Sequence, residues 1–282
     1  MLYTDVNEFN WIKSSVGDSA SIYHAGTSMT TGAANTKGTA VTMLAGASVT
    51  TDVYAFAIRL GTVGTAGARR SFLYDLLIDE AGGTSWTVKI DNLLAHQEAS
   101  HLGGYTYYFP VFIKSGTSIG VQAQCNVATI TTFASIKLFG KPTKPELLKV
   151  GYRVETIGAN TATTDGVSIT PGNAAAWGSY ASIGTPSNNN WWWQMGVTFT
   201  DTSMTALSSN VFEIAGGDDT NKKNCIVDVL CSVDSSENCS KNAFGSMLPI
   251  KSIPSGETIY ARGTSSSTTA DTGCSVVVYG VS

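Results

Sequence analysis

The sequence predicts an all-β protein made of two tandem antiparallel β-sandwich domains of the jelly-roll type, related by internal duplication. Three observations predict this class. Landmark residues recur at a constant spacing, short apolar segments alternate with turn residues, and segments of helical periodicity are almost absent. The 282 residues are also enough for two domains that each bury a core.

The duplication becomes visible when the chain is shifted against itself by 140 residues, the distance from Gly38 to Gly178. Residues 115–119 (SGTSI) then meet 255–259 (SGETI), and residues 136–140 (IKLFG) meet 276–280 (VVVYG). With a slip of one residue, YAFAI at 54–58 meets WQMGV at 193–197. Because turns and strands recur in one order, we infer that a single unit was copied head to tail.

Alternating apolar residues between Gly, Ser, Thr and Asn turns predict eight strands in the first copy. That number favours a jelly roll over a seven-stranded immunoglobulin-like domain. The predicted strands are residues 20–24, 40–44, 53–60, 71–78, 85–90, 105–113, 118–124 and 134–139.

Two prolines, Pro142 and Pro145, follow the end of the first copy at Gly140. Proline stiffens the chain and lacks the amide hydrogen that strand pairing uses. The predicted organisation is therefore an N-terminal arm at 1–10, a first domain at 11–140, a linker at 141–150 and a second domain at 151–282.

The composition favours contacts with protein or sugar over contacts with nucleic acid or membrane. Charged residues make up 13% of the chain, and the net charge is −4, whereas about 25% is usual. The Lys and Arg side chains are scattered and form no basic stripe that would neutralise phosphates. With neither a signal peptide nor a run of 18 apolar residues, we expect a soluble protein made in the cytoplasm.

The cysteines and histidines predict neither disulfides nor a metal site. The cysteines are odd in number and unevenly spread, so a disulfide framework shared by the copies is not expected, and Cys225 and Cys231 fit buried core thiols. His96 and His101 share a polar loop with Glu98, a spacing that could hold a metal, but surface histidines are the favoured interpretation. The full set is Cys125, Cys225, Cys231, Cys239 and Cys274, with His24, His96 and His101.

Paired acids are the remaining candidates for catalysis. Asp79-Glu80 and Asp218-Asp219 occupy roughly equivalent turns next to glycine pairs. Adjacent acids on a turn seldom face one cleft, so we interpret them as hairpin-loop residues, with a calcium site as the alternative. The prediction is a non-enzymatic protein with no catalytic residue, no metal and no cofactor.

The most unusual segment is NNNWWW at residues 188–193. In a strand, alternation places Trp191 and Trp193 on one face, where they would fill a core or the seam between the domains. Trp192 would then point outward. Together with Asn189 and Asn190, it is the candidate contact for a glycan or a protein partner.

An apolar-Pro-apolar strand at 248–250 followed by IPSGETIYAR at 253–262 resembles segments of tailed-bacteriophage proteins. The first copy matches this pattern without the second proline or the arginine. The resemblance implies a virion structural protein of jelly-roll-like β-sandwiches, and in particular a capsid decoration or cement protein that bridges shell subunits. Its partners would be the major capsid protein or other virion proteins, and it would form homo-oligomers. The N-terminal arm could pair with a neighbour's sheet edge.

Two other functions remain open at this stage. A double jelly-roll major capsid protein would assemble into shells or arrays without help. A receptor-binding or carbohydrate-binding protein of a phage tail would bind glycans through Trp192 and the Asn- and Thr-rich loops. An enzyme with an unfamiliar site is the last alternative, and unexpected hydrolysis of sugar or ester substrates would indicate it.

Overall fold

The computed structural model describes residues 9–14, 26–61, 70–97, 105–142, 149–173, 176–199, 208–217, 222–233, 239–241, 253–267 and 274–282. Within these ranges the regular structure is β-strand apart from one 3-10 turn at Gly46–Ser48. The prediction of an all-β protein is therefore confirmed. The predicted strand at 20–24 lies outside the described residues.

The first copy contributes nine strands to the described structure and the second copy another nine. The first nine are β1 (Phe9–Ser14), β2 (Thr27–Thr30), β3 (Val41–Leu44), β4 (Ala55–Leu60), β5 (Arg70–Asp79), β6 (Thr87–Gln97), β7 (Tyr105–Phe109), β8 (Ser118–Cys125) and β9 (Thr131–Pro142). The others are β10 (Val154–Ile157), β11 (Val167–Ile169), β12 (Ala181–Gly184), β13 (Trp192–Phe199), β14 (Ser208–Gly216), β15 (Lys223–Val233), β16 (Cys239–Lys241), β17 (Ile259–Ser265) and β18 (Cys274–Val281).

The first copy is a sandwich of two antiparallel sheets. One sheet has the order β1-β9-β4-β7, and β2 pairs with β9 on the same side as β1. The other sheet has the order β3-β8-β5-β6. Alternate residues of β4, namely Phe56, Ile58 and Leu60, are fully buried between the sheets, as expected for a strand with one face toward the core.

The second copy repeats this topology in its described residues, apart from β7, whose equivalent positions lie outside them. Strands β10 and β11 pair along one side of β18, as β1 and β2 do along β9, and β13 takes the place of β4 on the other side. The facing sheet has the order β12-β17-β14-β15-β16, which matches β3-β8-β5-β6 strand for strand before β16 is added. The structure thus confirms two β-sandwiches related by duplication.

Individual backbone positions repeat as well. Gly116 and Gly256 both have a φ of +83°, a conformation that glycine adopts without strain. A Cβ atom on Gly38 would lie 1.9 Å from the carbonyl oxygen of the residue eight positions earlier, and on Gly178 the same distance would be 2.4 Å. Neither backbone leaves room for a side chain, so the glycines that revealed the repeat are required by close packing.

The apolar cores of the two copies are continuous at the seam between them. Trp192, Val277, Tyr279 and Val281 lie on the outer face of the β13–β18 sheet, yet they belong to the buried cluster of the first copy. This sheet packs against β6 of the first copy through β10 and β13. The second copy therefore covers one side of the first and removes its own sheet face from water.

Hydrogen bonds also join the two copies at the seam. The Tyr105 hydroxyl donates to the Val197 carbonyl at 2.9 Å, and the Gln194 amide donates to the Tyr108 carbonyl at 2.6 Å. Buried polar groups must find such partners, so these bonds select one arrangement of the two copies.

The structure adds detail at the predicted boundaries of the first copy. Strand β9 continues past Gly140 and ends at Pro142, whose Cα is opposite that of Phe9. Phe9 and Asn10, the last residues of the predicted arm, begin β1, which pairs with β9 of the same chain. Residues 1–8 lie outside the described part, so the arm's pairing with a neighbouring molecule stays a prediction.

Candidate functional site

The three consecutive tryptophans occupy the seam and the second core. Trp193 is fully buried in the core of the second copy. Trp192, on the opposite face of β13, is only 6% exposed and packs edge-on against Tyr108 with ring centroids 6.1 Å apart. The prediction that Trp192 faces solvent is wrong, because the first copy covers the outer face of this sheet.

Trp191 precedes β13 and packs at the seam, half-buried against the cluster of the first copy. The predicted seam position therefore agrees with the structure, whereas the predicted sharing of a face with Trp193 is wrong. The Lys149 ammonium lies 4.6 Å from its ring centroid, a distance typical of a cation–π contact. Because the chain enters the strand only at Trp192, strand alternation does not extend back to Trp191.

The two asparagines singled out with Trp192 hold the turn that leads into β13. Asn190 is fully buried, and its amide nitrogen donates to Glu155 at 3.0 Å. Asn189 is exposed, and its side-chain oxygen accepts a hydrogen bond from the Ser255 amide at 2.8 Å. Burial removes Asn190 as a contact residue, whereas Asn189 remains accessible to a partner.

The Glu155 carboxylate accepts hydrogen bonds from several polar groups of this turn. It accepts hydrogen bonds from the Ser187 amide at 2.5 Å, from the backbone and side chain of Asn188 at 3.2 and 3.4 Å, and from Asn190. Partial burial raises the pKa of Glu155, but these bonds outweigh it and bring the pKa below its usual value. Glu155 is therefore a structural carboxylate that organises the turn.

A cavity of about 550 Å³ lies at the seam next to Glu155. Its wall includes four charged residues, Lys89, Asp91, Arg153 and Glu155, and the exposed ring of Tyr152. The Lys89 ammonium donates to the Tyr152 carbonyl at 2.9 Å, and burial lowers the pKa of this lysine. The lining of the seam cavity is charged, and several of its groups already hold the two copies together.

A second polar cluster lies on the outer face of the β3–β8–β5–β6 sheet. Lys37 forms an ion pair with Asp75 at 2.6 Å, and the other carboxylate oxygen of Asp75 accepts from the Gln122 amide at 2.8 Å. Burial lowers the pKa of Lys37, an effect that the charge of Asp75 opposes. Asp75 and Gln122 are cross-strand neighbours on β5 and β8.

The second copy has an acid at the same place but surrounds it with different residues. Glu213 and Arg262 are opposite each other on β14 and β17, as Asp75 and Gln122 are on β5 and β8. Glu213 forms an ion pair with Arg262 and accepts a hydrogen bond from the Tyr180 hydroxyl at 2.6 Å. An arginine thus replaces the neutral amide of the first copy.

Aromatic rings surround this arginine. The Arg262 guanidinium carbon lies 4.8 Å from the ring centroid of Trp177 and 4.3 Å from that of Tyr180, while the Lys222 ammonium lies 4.5 Å from that of Tyr260. Trp177 is 40% exposed. We call Trp177, Tyr180, Lys222, Tyr260 and Arg262 the Trp177 platform.

The first copy lacks this arrangement at the equivalent positions. Shifting by 140 residues places Lys37 at Trp177, Ala40 at Tyr180 and Gly120 at Tyr260. The strand registers agree, since Gly120 pairs with Thr42 and Tyr260 pairs with Ser182. The Trp86 ring covers Gly120 so closely that a Cβ atom there would lie 2.9 Å from it.

A second cavity, of about 480 Å³, lies beside the platform, with Tyr180 in its wall. Its lining is formed by Ser168, Ile169, Thr170, Pro171, Gly172, Asn173, Gly178, Ser179, Tyr180 and Ala181. This lining contains hydroxyl, amide and backbone groups but no acidic or basic side chain, unlike that of the seam cavity.

The described acids and histidines that the sequence analysis considered have structural positions. Asp79 accepts hydrogen bonds from the amides of Ala81 and Ser85 at 2.9 and 2.8 Å, which confirms a hairpin-turn role. His96 is 5% exposed within β6 and lies 3.3 Å from the Ser71 hydroxyl. The surface-loop prediction is wrong for His96, because β6 continues to Gln97. His24, Glu98, His101, Asp218 and Asp219 lie outside the described residues.

The thiols in the described part are Cys125, Cys231 and Cys274, all buried and without a disulfide. The core role predicted for Cys231 is confirmed, whereas the side chains of Cys225 and Cys239 lie outside that part. No three His, Cys, Asp or Glu side chains in the described ranges are grouped as a metal site would require. In the same ranges no helix is long and apolar enough to cross a membrane.

Comparison with known proteins adds only weak similarities. No family model and no curated protein matches the chain. The CBM22-1–CBM22-2 tandem domain of Xyn10C from Paenibacillus barcinonensis is similar at 9% identity and a TM-score of 0.31, over 97% of this chain and 98% of that one. Peptide-N(4)-(N-acetyl-β-D-glucosaminyl) asparagine amidase is similar at 8% identity and a TM-score of 0.31, over 91% and 96%.

Tripeptidyl peptidase 2 is similar at 8% identity and a TM-score of 0.27, over 93% of this chain but only 23% of that one. At these TM-scores none of the three similarities supports an argument about function.

Proposed function

We propose that this protein is a non-enzymatic structural component of a virus particle, namely a bacteriophage capsid decoration or cement protein that bridges shell subunits. The observation that carries the proposal is the continuous core at the seam, where Trp192, Val277 and Tyr279 of the second copy complete the cluster of the first. A bridge between neighbouring subunits needs its two contact units at a fixed distance. A buried seam provides this, which a flexible linker would not.

The composition also supports this role. With 13% charged residues and a net charge of −4, the surface offers little repulsion to close packing against other protein. The resemblance of residues 253–262 to tailed-phage proteins supports the same assignment. On this proposal the protein resides in the virion, contacts the major capsid protein or other virion proteins, and forms homo-oligomers around the particle's symmetry axes.

The test is the location of the protein in infected or induced cells. Particles are purified on a density gradient, and the chain is followed by an antibody and by mass spectrometry. We expect it to sediment with filled particles, to leave them in mild denaturant, and to rebind stripped shells at a fixed copy number per capsid subunit. Recovery of the chain only at the top of the gradient would contradict the proposal.

The same experiments separate the related functions. If the purified chain alone forms shells or hexagonal arrays, it is a double jelly-roll major capsid protein. If it sediments with isolated tails and binds glycans, it is a tail receptor-binding or carbohydrate-binding protein. Two of the residues first expected to contact a glycan, Trp192 and Asn190, are buried. That alternative now depends on the exposed Asn189 and on exposed aromatic rings such as that of Trp177.

A further inference from the structure

The Trp177 platform has an aromatic surface held in place before any ligand arrives. Arg262 lies between the rings of Trp177 and Tyr180, and its ion pair with the buried Glu213 anchors the guanidinium. Fixed rings lose little conformational entropy on binding, which increases the affinity that a contact can supply. Trp177 remains 40% exposed despite these contacts.

The adjoining cavity supplies hydrogen-bonding groups. Ser168, Thr170 and Ser179 line it and are exposed, and each hydroxyl can donate and accept. The volume of about 480 Å³ lies within the range, roughly 300–1,000 Å³, that is usual for small-ligand sites.

We propose that the Trp177 platform and this cavity form a binding site for a neutral glycan. The apolar C–H face of a pyranose ring would stack on the exposed indole of Trp177, because an aromatic ring offers a large flat apolar surface. Hydroxyl groups of the next sugar would reach the exposed hydroxyls of Ser168 and Ser179. This site is independent of the particle role proposed above, since a glycan site would serve a capsid or a tail protein equally.

The charge of the site selects the ligand class. The cavity wall has no acidic or basic side chain, and the charge of Arg262 is balanced by Glu213. The other cation of the platform, Lys222, already has its ammonium over the rings of Tyr180 and Tyr260. An acidic sugar would lose hydration without gaining an unpaired cation in the cavity. The seam cavity, whose charged groups Lys89 and Glu155 already hydrogen-bond within the protein, suits an uncharged ligand less well.

The site belongs to the second copy alone within the described residues. In the first copy, Lys37 occupies the position equivalent to Trp177 and forms an ion pair with Asp75. Gly120 occupies the position equivalent to Tyr260, and the Trp86 ring covers it. Because the two copies differ at these positions, the proposal places one such site in the described part of the chain.

The experiment is affinity electrophoresis of the full chain in native gels that contain soluble glucomannan, arabinoxylan, laminarin or dextran, with alginate as an acidic polysaccharide. We expect at least one neutral polysaccharide to retard the wild-type protein, and Trp177→Ala to weaken that binding by about tenfold or more, as loss of a central aromatic contact does. Trp177→Phe, which keeps a ring, should retain part of the binding.

The control variant is Tyr152→Ala, because Tyr152 is an exposed aromatic residue, 66% accessible, in the wall of the seam cavity. It should bind like wild type, and unchanged thermal melting would show that all variants fold. Three results would overturn the proposal: no retardation by any neutral polysaccharide, wild-type binding by Trp177→Ala, or loss of binding by Tyr152→Ala with Trp177→Ala unaffected. Retardation by alginate alone would overturn the neutral ligand class.

Discussion

The hydroxyl of Tyr279, in the last strand of the second copy, accepts a hydrogen bond from the backbone amide of Leu94 in the first copy at 2.7 Å. It donates in turn to the Asn92 carbonyl at 3.0 Å, and burial raises the pKa of Tyr279 well above its ordinary value. A side chain 185 residues away thus satisfies the backbone of β6. The Tyr279 hydroxyl therefore joins the last strand of the second copy to the first copy.

This pair gives the first prediction. Tyr279→Phe keeps the ring but leaves the Leu94 amide without that acceptor in a buried seam, which costs about 1–3 kcal/mol of unfolding free energy. Urea denaturation followed by circular dichroism should show a lower midpoint with the slope unchanged. Tyr152→Phe, at an exposed ring, should stay within about 0.5 kcal/mol of wild type. Equal midpoints for Tyr279→Phe and wild type would mean that the seam does not form as described.

Trp192 gives the second prediction. The sequence predicted an outward-facing Trp192, and truncating an exposed ring costs little stability. Its burial at the seam now predicts a loss of about 3–5 kcal/mol, as is typical when a large buried ring is truncated. Trp177→Ala, which removes an exposed tryptophan, is the matched control and should cost much less. If the two variants melted together, Trp192 would be a surface residue after all.

The fold class could be predicted from the sequence because the same strands and turns occur in both copies, so each copy supports the assignment of the other. The alignment of the two copies is fixed by matched landmarks, such as Gly38 with Gly178 and residues 136–140 with 276–280. A single domain would offer no such internal comparison. Two strands escaped prediction: β1 begins inside the predicted arm, and β2 has only four residues. His96 was misplaced because β6 runs on through polar residues, and periodicity alone does not extend a strand across them.

The site was less predictable because burial by another part of the chain is not visible in local patterns. Alternation assigned Trp192 and Trp193 to opposite faces, and the structure confirms this. Which of the two faces meets solvent depends on the docking of the copies. Trp177 had one available signal, the replacement of Lys37 by tryptophan at the equivalent repeat position, and only the structure brings it next to Arg262.

Glu155 gives a prediction about acid stability. Its pKa in the folded protein is lowered by its hydrogen bonds to the 187–190 turn. A carboxyl group of this kind stabilises the fold above its unfolded pKa of about 4.3, and that contribution disappears as the pH falls through the lower folded pKa. Glu155→Gln should therefore melt below wild type at pH 7, and the difference should shrink toward pH 3. Glu80→Gln, in the exposed hairpin turn, is the control, and a difference that does not vary with pH would refute the assignment.

The equivalent glycines Gly38 and Gly178 give the last prediction. An added methyl group would lie 1.9 or 2.4 Å from a carbonyl oxygen of the opposing backbone, which cannot move aside as a side-chain end could. Gly38→Ala and Gly178→Ala should therefore each destabilise the protein by about 1–3 kcal/mol or more, as overpacking does. Gly116→Ala, with no atom within 4 Å of the new Cβ, should show only the strain of its positive φ, about 1–2 kcal/mol. Thermal or urea unfolding would measure the stability of all three variants. Because each copy packs on the other, we expect a single cooperative transition whose midpoint is lowered by either glycine substitution. Two separate transitions, of which each variant shifts only one, would show instead that the copies unfold independently.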